Sequence, residues 1–240
     1  MASAVAPRYR EVADALQRQI LAGELHSHDR LASEREIAGT FGLSRMTARQ
    51  AVELLVRRGV VYRRPGSGTY VSPPRVVHSL ERLAGFSEQM RRQGVHPSGR
   101  VLDMRCTESP DDDARRALGL AEGDAAWIVR RMRYGDGEPL LLETFWVPRA
   151  VCPALEADEL AEQSLYAVMR GRYGIDPVSA ETSLEPAALD ADDARHLHAR
   201  PGAPAILVVR TTRAADGRAV EFARDLYRGD RARFDLTLKT

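Results

Sequence analysis

Apolar positions near the start of the chain recur at helical spacing and are interrupted at glycines. Residues 9–23 set Val12, Ala13, Leu16 and Ile20 along one stripe and end at Gly23, a residue suited to a left-handed cap, which predicts a helix. The run "SEREIAGTFG" opens with Ser33, places Glu36 three residues later as a capping box, turns Ile37, Ala38 and Phe41 inward and stops at Gly42. Ser44 then caps a third helix whose Ala48, Ala51, Val52 and Leu55 fall at i, i+3, i+4 and i+7, with Arg45, Arg49, Glu53 and Arg57 opposite. Past Gly59 the pattern changes, and residues 60–63 and 69–71 predict two strands around a turn at 65–68.

Two helices joined by a tight turn, an arginine opening the second and a hairpin after it, make a winged helix-turn-helix. The start of the third helix then enters the major groove, where the forks of Arg45 and Arg49 reach guanine or phosphate. Ser44 and Thr47 are short enough to touch phosphate oxygens. Arg35 approaches from the side, while Arg63, Arg64 and the turn holding Gly66 and Gly68 track the neighbouring backbone or minor groove. A merely solvated charged face explains the third helix alone, but not cap, turn and hairpin in succession.

Paired prolines in "SPPRVVH" favour extended backbone, so 73–78 reads as a linker between a DNA-binding domain at 1–72 and a second domain at 79–240. The second domain carries a faint repeat. "DDARRALGLAEGDAAWIVRRMRYGDGEPLLLE" from Asp112 is echoed from Asp192 by "DDARHLHARPGAPAILVVRTTRAADGRAVE". Each copy runs helix, glycine turn, strand, Asp-Gly hairpin, strand, with the turns at Asp136-Gly137 and Asp216-Gly217. The fold class is α+β: a winged helix-turn-helix joined to a mixed α/β domain on an antiparallel sheet, with a pseudo-twofold relation and a cleft where its halves meet. The acidic run at 111–113 belongs to the first turn of a helix, where carboxylates complement the dipole, rather than to a metal site.

Charge sharpens this division. Residues 1–72 hold eleven Arg against seven acidic residues, net +4, while the remainder holds 24 basic against 27 acidic residues, net −3. Basic excess at one end fits a nucleic-acid reader joined to a different module. Lys239 is the only lysine, so Schiff-base chemistry has one candidate, and "RPGSGTY" lacks the Gly-Lys-Ser/Thr of a nucleotide loop. No cofactor is expected. No apolar run approaches the roughly 18 residues of a membrane span, and the chain is expected to work in the cytoplasm without a membrane partner. Cys106 and Cys152 have no paired spacing and are expected as buried small side chains; neither His26/His28 nor His196/His198 gains a third metal ligand.

The stretch "LASEREIAGTFGLSRMTARQAVELLVRRGVVYRRPGSGTYV" resembles the DNA-binding domain of the GntR family of bacterial transcription regulators, over residues 8–72. The resemblance implies that Arg35, Arg45 and Arg49 make the main operator contacts, helped by Thr47 and the wing glycines. Two positions depart from the pattern: Ala32 stands for a proline, and Ser67 for a basic residue at the wing tip. Farther on, "LAGFSEQMRRQG", "ETFWVP", "SLYAVM" and "EFARDLYRGDRARFDL" resemble the effector domain of the HutC branch, the chorismate-lyase-like module called UTRA.

Within it, strand alternation points Arg131 and Arg133 to one face, either to pair with Glu143 or Glu221 or to clamp a phosphate or carboxylate. The resemblance implies an anion site at Arg131, Arg133, Ser164 and Tyr166. Glu143, Glu221 and Tyr227 then face hydroxyl or amino groups, with Ser87 nearby, and Arg228 to Arg231 form a structural turn and dimer contact. The expected protein is a homodimeric repressor, not an enzyme. It binds a palindromic double-stranded operator and answers to a small anionic effector, an amino-sugar phosphate being the first candidate. The alternatives are a chorismate-lyase-like enzyme fused to a DNA-binding domain and an architectural DNA binder without an effector.

Overall fold

The computed structural model describes residues 7–72 and 75–237; Pro73, Pro74 and Lys239 lie outside the described residues. The chain divides after Arg75 into two compact units.

The first unit contains α1 (Arg8–Leu21), α2 (Glu34–Phe41), α3 (Arg45–Arg57) and an antiparallel hairpin of β1 (Val61–Arg64) and β2 (Gly68–Val71). The capping box closes as its spacing requires. Ser33 Oγ accepts from the Glu36 backbone N–H at 3.3 Å, and Glu36 Oε2 accepts from the Ser33 N–H at 2.8 Å. The Ser33 N–H, and after it the Ser33 hydroxyl, hold the Glu36 carboxyl below its usual range. Gly42 ends α2 at φ 62°, a left-handed conformation that a side chain would strain. Ala48, Ala51, Val52 and Leu55 are at most 1% exposed and meet Val12, Ala13 and Leu16 of α1 and Ile37 of α2 in one core. The hairpin gains a further edge: Leu31 N–H donates to Thr69 O at 2.8 Å and Val71 N–H to Asp29 O at 2.9 Å.

The second unit is organised on one six-stranded antiparallel sheet. In chain order its elements are β3 (Val76–Ser79), α4 (Phe86–Arg92), β4 (Pro97–Thr107), α5 (Asp112–Leu118), β5 (Ala126–Gly135), β6 (Glu138–Pro148), α6 (Ala157–Glu162), α7 (Leu165–Tyr173), β7 (Pro177–Ala188), α8 (Ala191–His196), β8 (Pro204–Ala214), β9 (Ala219–Arg228) and β10 (Ala232–Asp235). Strand order is β4-β5-β6-β9-β8-β7, so the two halves mirror each other across the β6–β9 pair. Each half repeats strand, helix, strand, strand, and the repeat therefore extends back to include β4 and β7. The hairpin turns carry their expected strain at glycine, with φ 79° at Gly137 and 83° at Gly217. Asp111 caps α5, its carboxylate accepting from Ala114 N–H at 2.9 Å, with Asp112 and Asp113 in the first turn.

Alternation assigns the two faces of the sheet. Met132, Leu142, Trp146 and Phe222 pack beneath α5 and α8. Arg131, Arg133, Glu143 and Asp225 turn to the other side, where Phe145 and Val129 meet Leu160, Leu165 and Met169 of α6 and α7.

Three expectations need correction. Residues 76–78, expected in the linker, are strand: β3 pairs in parallel with β10, Val76 opposite Ala232 and His78 opposite Phe234. Cys152 is buried but Cys106 is exposed, because it lies on β4, an edge strand with one uncovered side. The first hairpin strand is shifted by one residue to 61–64, and the second starts one residue early, at 68, and ends at 71 as expected.

Candidate DNA interface and candidate ligand site

The first unit presents its arginines to solvent. Ser44 caps α3, its Oγ accepting from Thr47 N–H at 3.1 Å, and the two hydroxyls lie 2.9 Å apart. The cap thus fixes the first turn and aligns both hydroxyls along one side of it. Arg35, Arg45 and Arg49 are exposed, and Arg49 is steadied by a 3.0 Å ion pair to Glu53 one turn on, which raises its already high pKa. On the hairpin, Arg63 pairs with Glu34 at 3.0 Å. The Arg64 guanidinium stands over the Tyr62 and Tyr70 rings, 5.6 and 5.3 Å from their centroids. Gly66 and Gly68 take φ of 73° and 133°, so the turn between the strands stays narrow. The arginines, hydroxyls and turn glycines expected to meet DNA therefore lie on the exposed parts of one small unit.

The second unit does the opposite, burying its charges where the halves of the sheet meet. Arg131 and Arg133 are 2% and 1% exposed. Register explains the neighbours: Arg131 lies opposite Glu143, which lies opposite Asp225 on β9. Arg131 is well engaged, its Nε donating to Glu143 and its Nη1 to the carbonyls of Leu160 at 2.8 Å and Gln163 at 3.3 Å. Burial opposes the charge on Glu143, but the field and hydrogen bond of Arg131 outweigh it and hold the carboxyl below its usual range. Arg210 on β8 bridges Glu221 at 3.4 Å and Asp225 at 3.2 Å. The Tyr166 hydroxyl donates to Glu221 at 2.9 Å, and Thr212 donates to the same carboxylate oxygen at 2.6 Å.

Arg133 is different. Its Nη2 donates to Ser87 Oγ at 2.5 Å, its guanidinium lies over Phe86, and its Nε and Nη1 have no hydrogen-bond partner among the described residues. Burial, reinforced by Arg131, lowers its pKa to about 10, so the side chain keeps its charge at neutral pH. Burial, with Glu143 and Glu221 adding to it, pushes Asp225 up to about 8 despite Arg210. Arg131 and Arg210 thus each meet a carboxylate directly, at Glu143 and at Glu221 and Asp225, whereas Arg133 meets only the Ser87 hydroxyl. A buried positive charge with idle donors is costly, and an anion beside it would relieve that cost.

A cavity of about 20 Å³ adjoins these groups, lined by Arg131, Arg133, Glu143, Arg210 and Glu221 from the sheet and by Ser164, Leu165 and Tyr166 from the start of α7. Six of the eight expected ligand residues line it: Arg131, Arg133, Glu143, Ser164, Tyr166 and Glu221. Ser87 joins them through Arg133. Tyr227 does not line this cavity. It packs against His78 and Phe234, with ring centroids 4.5 and 5.1 Å away, beside a neighbouring cleft of about 320 Å³. Ser164 Oγ accepts from Ala167 N–H at 3.1 Å as the cap of α7, so its acceptor role is already engaged.

Sequence reasoning missed Arg210, Thr212 and Asp225. The repeat does not supply the signal: its two copies set Arg210 in "VVRTTR" against Arg130 in "VRRMR", and Arg130 faces the other side of the sheet, bonded to Asp192 and Asp193. Arg228, expected in a turn, is buried and tied to Asp230 at 2.8 Å and to the Leu197 carbonyl at 3.1 Å. Among the described residues no cluster of three metal-ligating side chains occurs, and no helix is long and apolar enough to cross a membrane.

Comparison with known proteins matches each unit to a family. Residues 8–71 match the model for bacterial regulatory proteins of the gntR family, and residues 92–233 match the UTRA domain. The chain is 36% identical to the HTH-type transcriptional repressor NagR of Bacillus subtilis, covering 95% of this chain and 93% of that protein. It is 31% identical to the mannosyl-D-glycerate transport/metabolism system repressor MngR of Escherichia coli, covering 96% and 95%. Among solved structures, PhnF from Mycobacterium smegmatis superposes with a TM-score of 0.67 at 30% identity, covering 95% of this chain and 99% of that one.

Proposed function

Since the chain belongs to the GntR family of transcription regulators and carries a UTRA domain, we propose that it is a homodimeric repressor released from its operator by a small anionic metabolite. The relatives named NagR and MngR are repressors, which supports that sign of regulation. Arg45, Arg49 and Arg35 carry DNA recognition, with Ser44, Thr47, Arg64 and the Gly66 and Gly68 turn on the backbone. Two such units on a twofold axis suit a palindromic operator.

One observation carries the ligand reading: among the described residues, Arg133 is buried with two guanidinium nitrogens unpartnered and no carboxylate bonded to it. An anionic group takes those donors. Glu143 and Glu221 lie within the same wall and suit amine or hydroxyl groups, so an amino-sugar phosphate matches both signs of charge. Ser87 and Ser164 supply hydroxyls at the rim, and Tyr227 borders the adjoining cleft. Binding shifts the population toward an arrangement with lower operator affinity, in proportion to the ligand's preference for it.

The test is a thermal-shift series with glucosamine 6-phosphate, glucosamine and inorganic phosphate, repeated on the operator complex. The phosphorylated amino sugar raises the melting midpoint most and releases DNA. Equal response to glucosamine alone, or no response to any phosphorylated sugar, rules out the anion clamp.

A further inference from the structure

Met46 is the most exposed large hydrophobic side chain among the described residues, at 62%. It lies in the first turn of α3, between Arg45 and Thr47, with exposed Gln50 one turn further on. Successive side chains turn by about 100° around a helix. The buried stripe of Ala48, Ala51, Val52 and Leu55 therefore stands roughly opposite Met46, with Arg45 and Arg49 between them on one flank. The thioether points straight out from the tip of the helix, where the two arginines would need DNA to be. Water is a poor neighbour for a methionine, and the capped first turn holds it there.

The major groove offers one apolar feature that differs between base pairs, the thymine C5-methyl. We propose that Met46 is a specificity-determining residue that packs on a thymine methyl in each half-site, next to the bases read by Arg45 and Arg49. This rests on the DNA-reading role of α3. Arginine forks account for guanine, and Met46 adds preference for thymine without a hydrogen bond. An unbranched, polarisable side chain suits this contact because it can follow the methyl across small shifts in helix position.

The experiment selects operators from a random duplex library with the full chain, then replaces each thymine of the selected site by deoxyuridine, one at a time. Deoxyuridine removes only the methyl. At one thymine per half-site the wild-type protein loses about fourfold in affinity, the equivalent of roughly 0.8 kcal/mol for one methylene-sized group. Met46→Ala binds the natural operator more weakly but is indifferent to that replacement. Met46→Gln shifts selection at the same position toward adenine, whose N6 and N7 a carboxamide can hold. Equal deoxyuridine penalties in wild type and Met46→Ala at every thymine overturn the proposal, as does a loss in Met46→Ala that is the same for all sequences, which would mean contact with the backbone. Failure to enrich any motif would instead defeat the DNA-reading role itself. Arg45→Ala, which loses enrichment whatever Met46 does, marks that case apart.

Discussion

The two units use arginine in opposite ways. In the first, Arg35, Arg45 and Arg49 stand in solvent with at most one exposed carboxylate each for company. In the second, Arg131, Arg133 and Arg210 sit beneath helices among carboxylates and backbone carbonyls. An exposed guanidinium costs the fold almost nothing, and its attraction to phosphate is screened by salt. A buried one shapes the fold around itself, is screened little and responds to a single well-placed partner. The reader is built for a long polyanion that must be gripped and released. The buried cluster of the second unit suits, on the function proposed above, a small molecule that must be recognised.

This contrast breaks most sharply at Arg131. Arg131→Ala leaves Glu143 buried without its partner and should cost the second unit about 3–5 kcal/mol in denaturant unfolding. Arg131→Lys should recover only part of the loss, since one ammonium cannot serve a carboxylate and two carbonyls with the geometry of the fork. Arg133→Ala removes a group that has few bonds to lose. It should leave operator affinity near normal and weaken the amino-sugar phosphate by about 2–5 kcal/mol by calorimetry. Arg45→Ala should cost about 1–3 kcal/mol of operator binding, relax discrimination against a scrambled site, and leave unfolding of the second unit unchanged. The smallest effect is expected at the cap: Ser33→Ala should lower the stability of the first unit by about 1 kcal/mol in urea.

The same contrast decides what could be read from the sequence. Signals in the first unit are local. Ser33 and Glu36 are three residues apart, Ser44 and Thr47 likewise, and Gly42 ends α2 because few other residues tolerate its backbone. Helices, turn and exposed arginines followed directly. In the second unit alternation placed Arg131 and Arg133 on one face, but it could not say that Arg131 binds a carboxylate and two carbonyls while Arg133 leaves two nitrogens idle. That depends on α6 supplying the Leu160 carbonyl. Asp225 comes to lie beside Glu143 through the β6–β9 pairing, which joins strands from different halves. Arg210 stayed hidden because the repeat sets it against Arg130, which faces the other side of the sheet, and an irregularity in the β8–β9 register follows at Thr212. The strand at 76–79 was hidden because its partner lies at 232–235, near the other end of the chain. Cys106 was misjudged because nothing in its neighbourhood marks β4 as an edge.

The parallel pairing of β3 with β10 fastens the two extremities of the second unit side by side and pointing the same way. Whatever is attached after residue 237 therefore departs from the Ser79 end of this clasp, while the polypeptide arriving from Arg75 joins at the Val76 end. A tag appended at the C-terminus hangs from the last hook of the clasp, whereas trimming residues 232–235 would unfasten the first strand of the sensor from a distance of more than 150 positions along the chain.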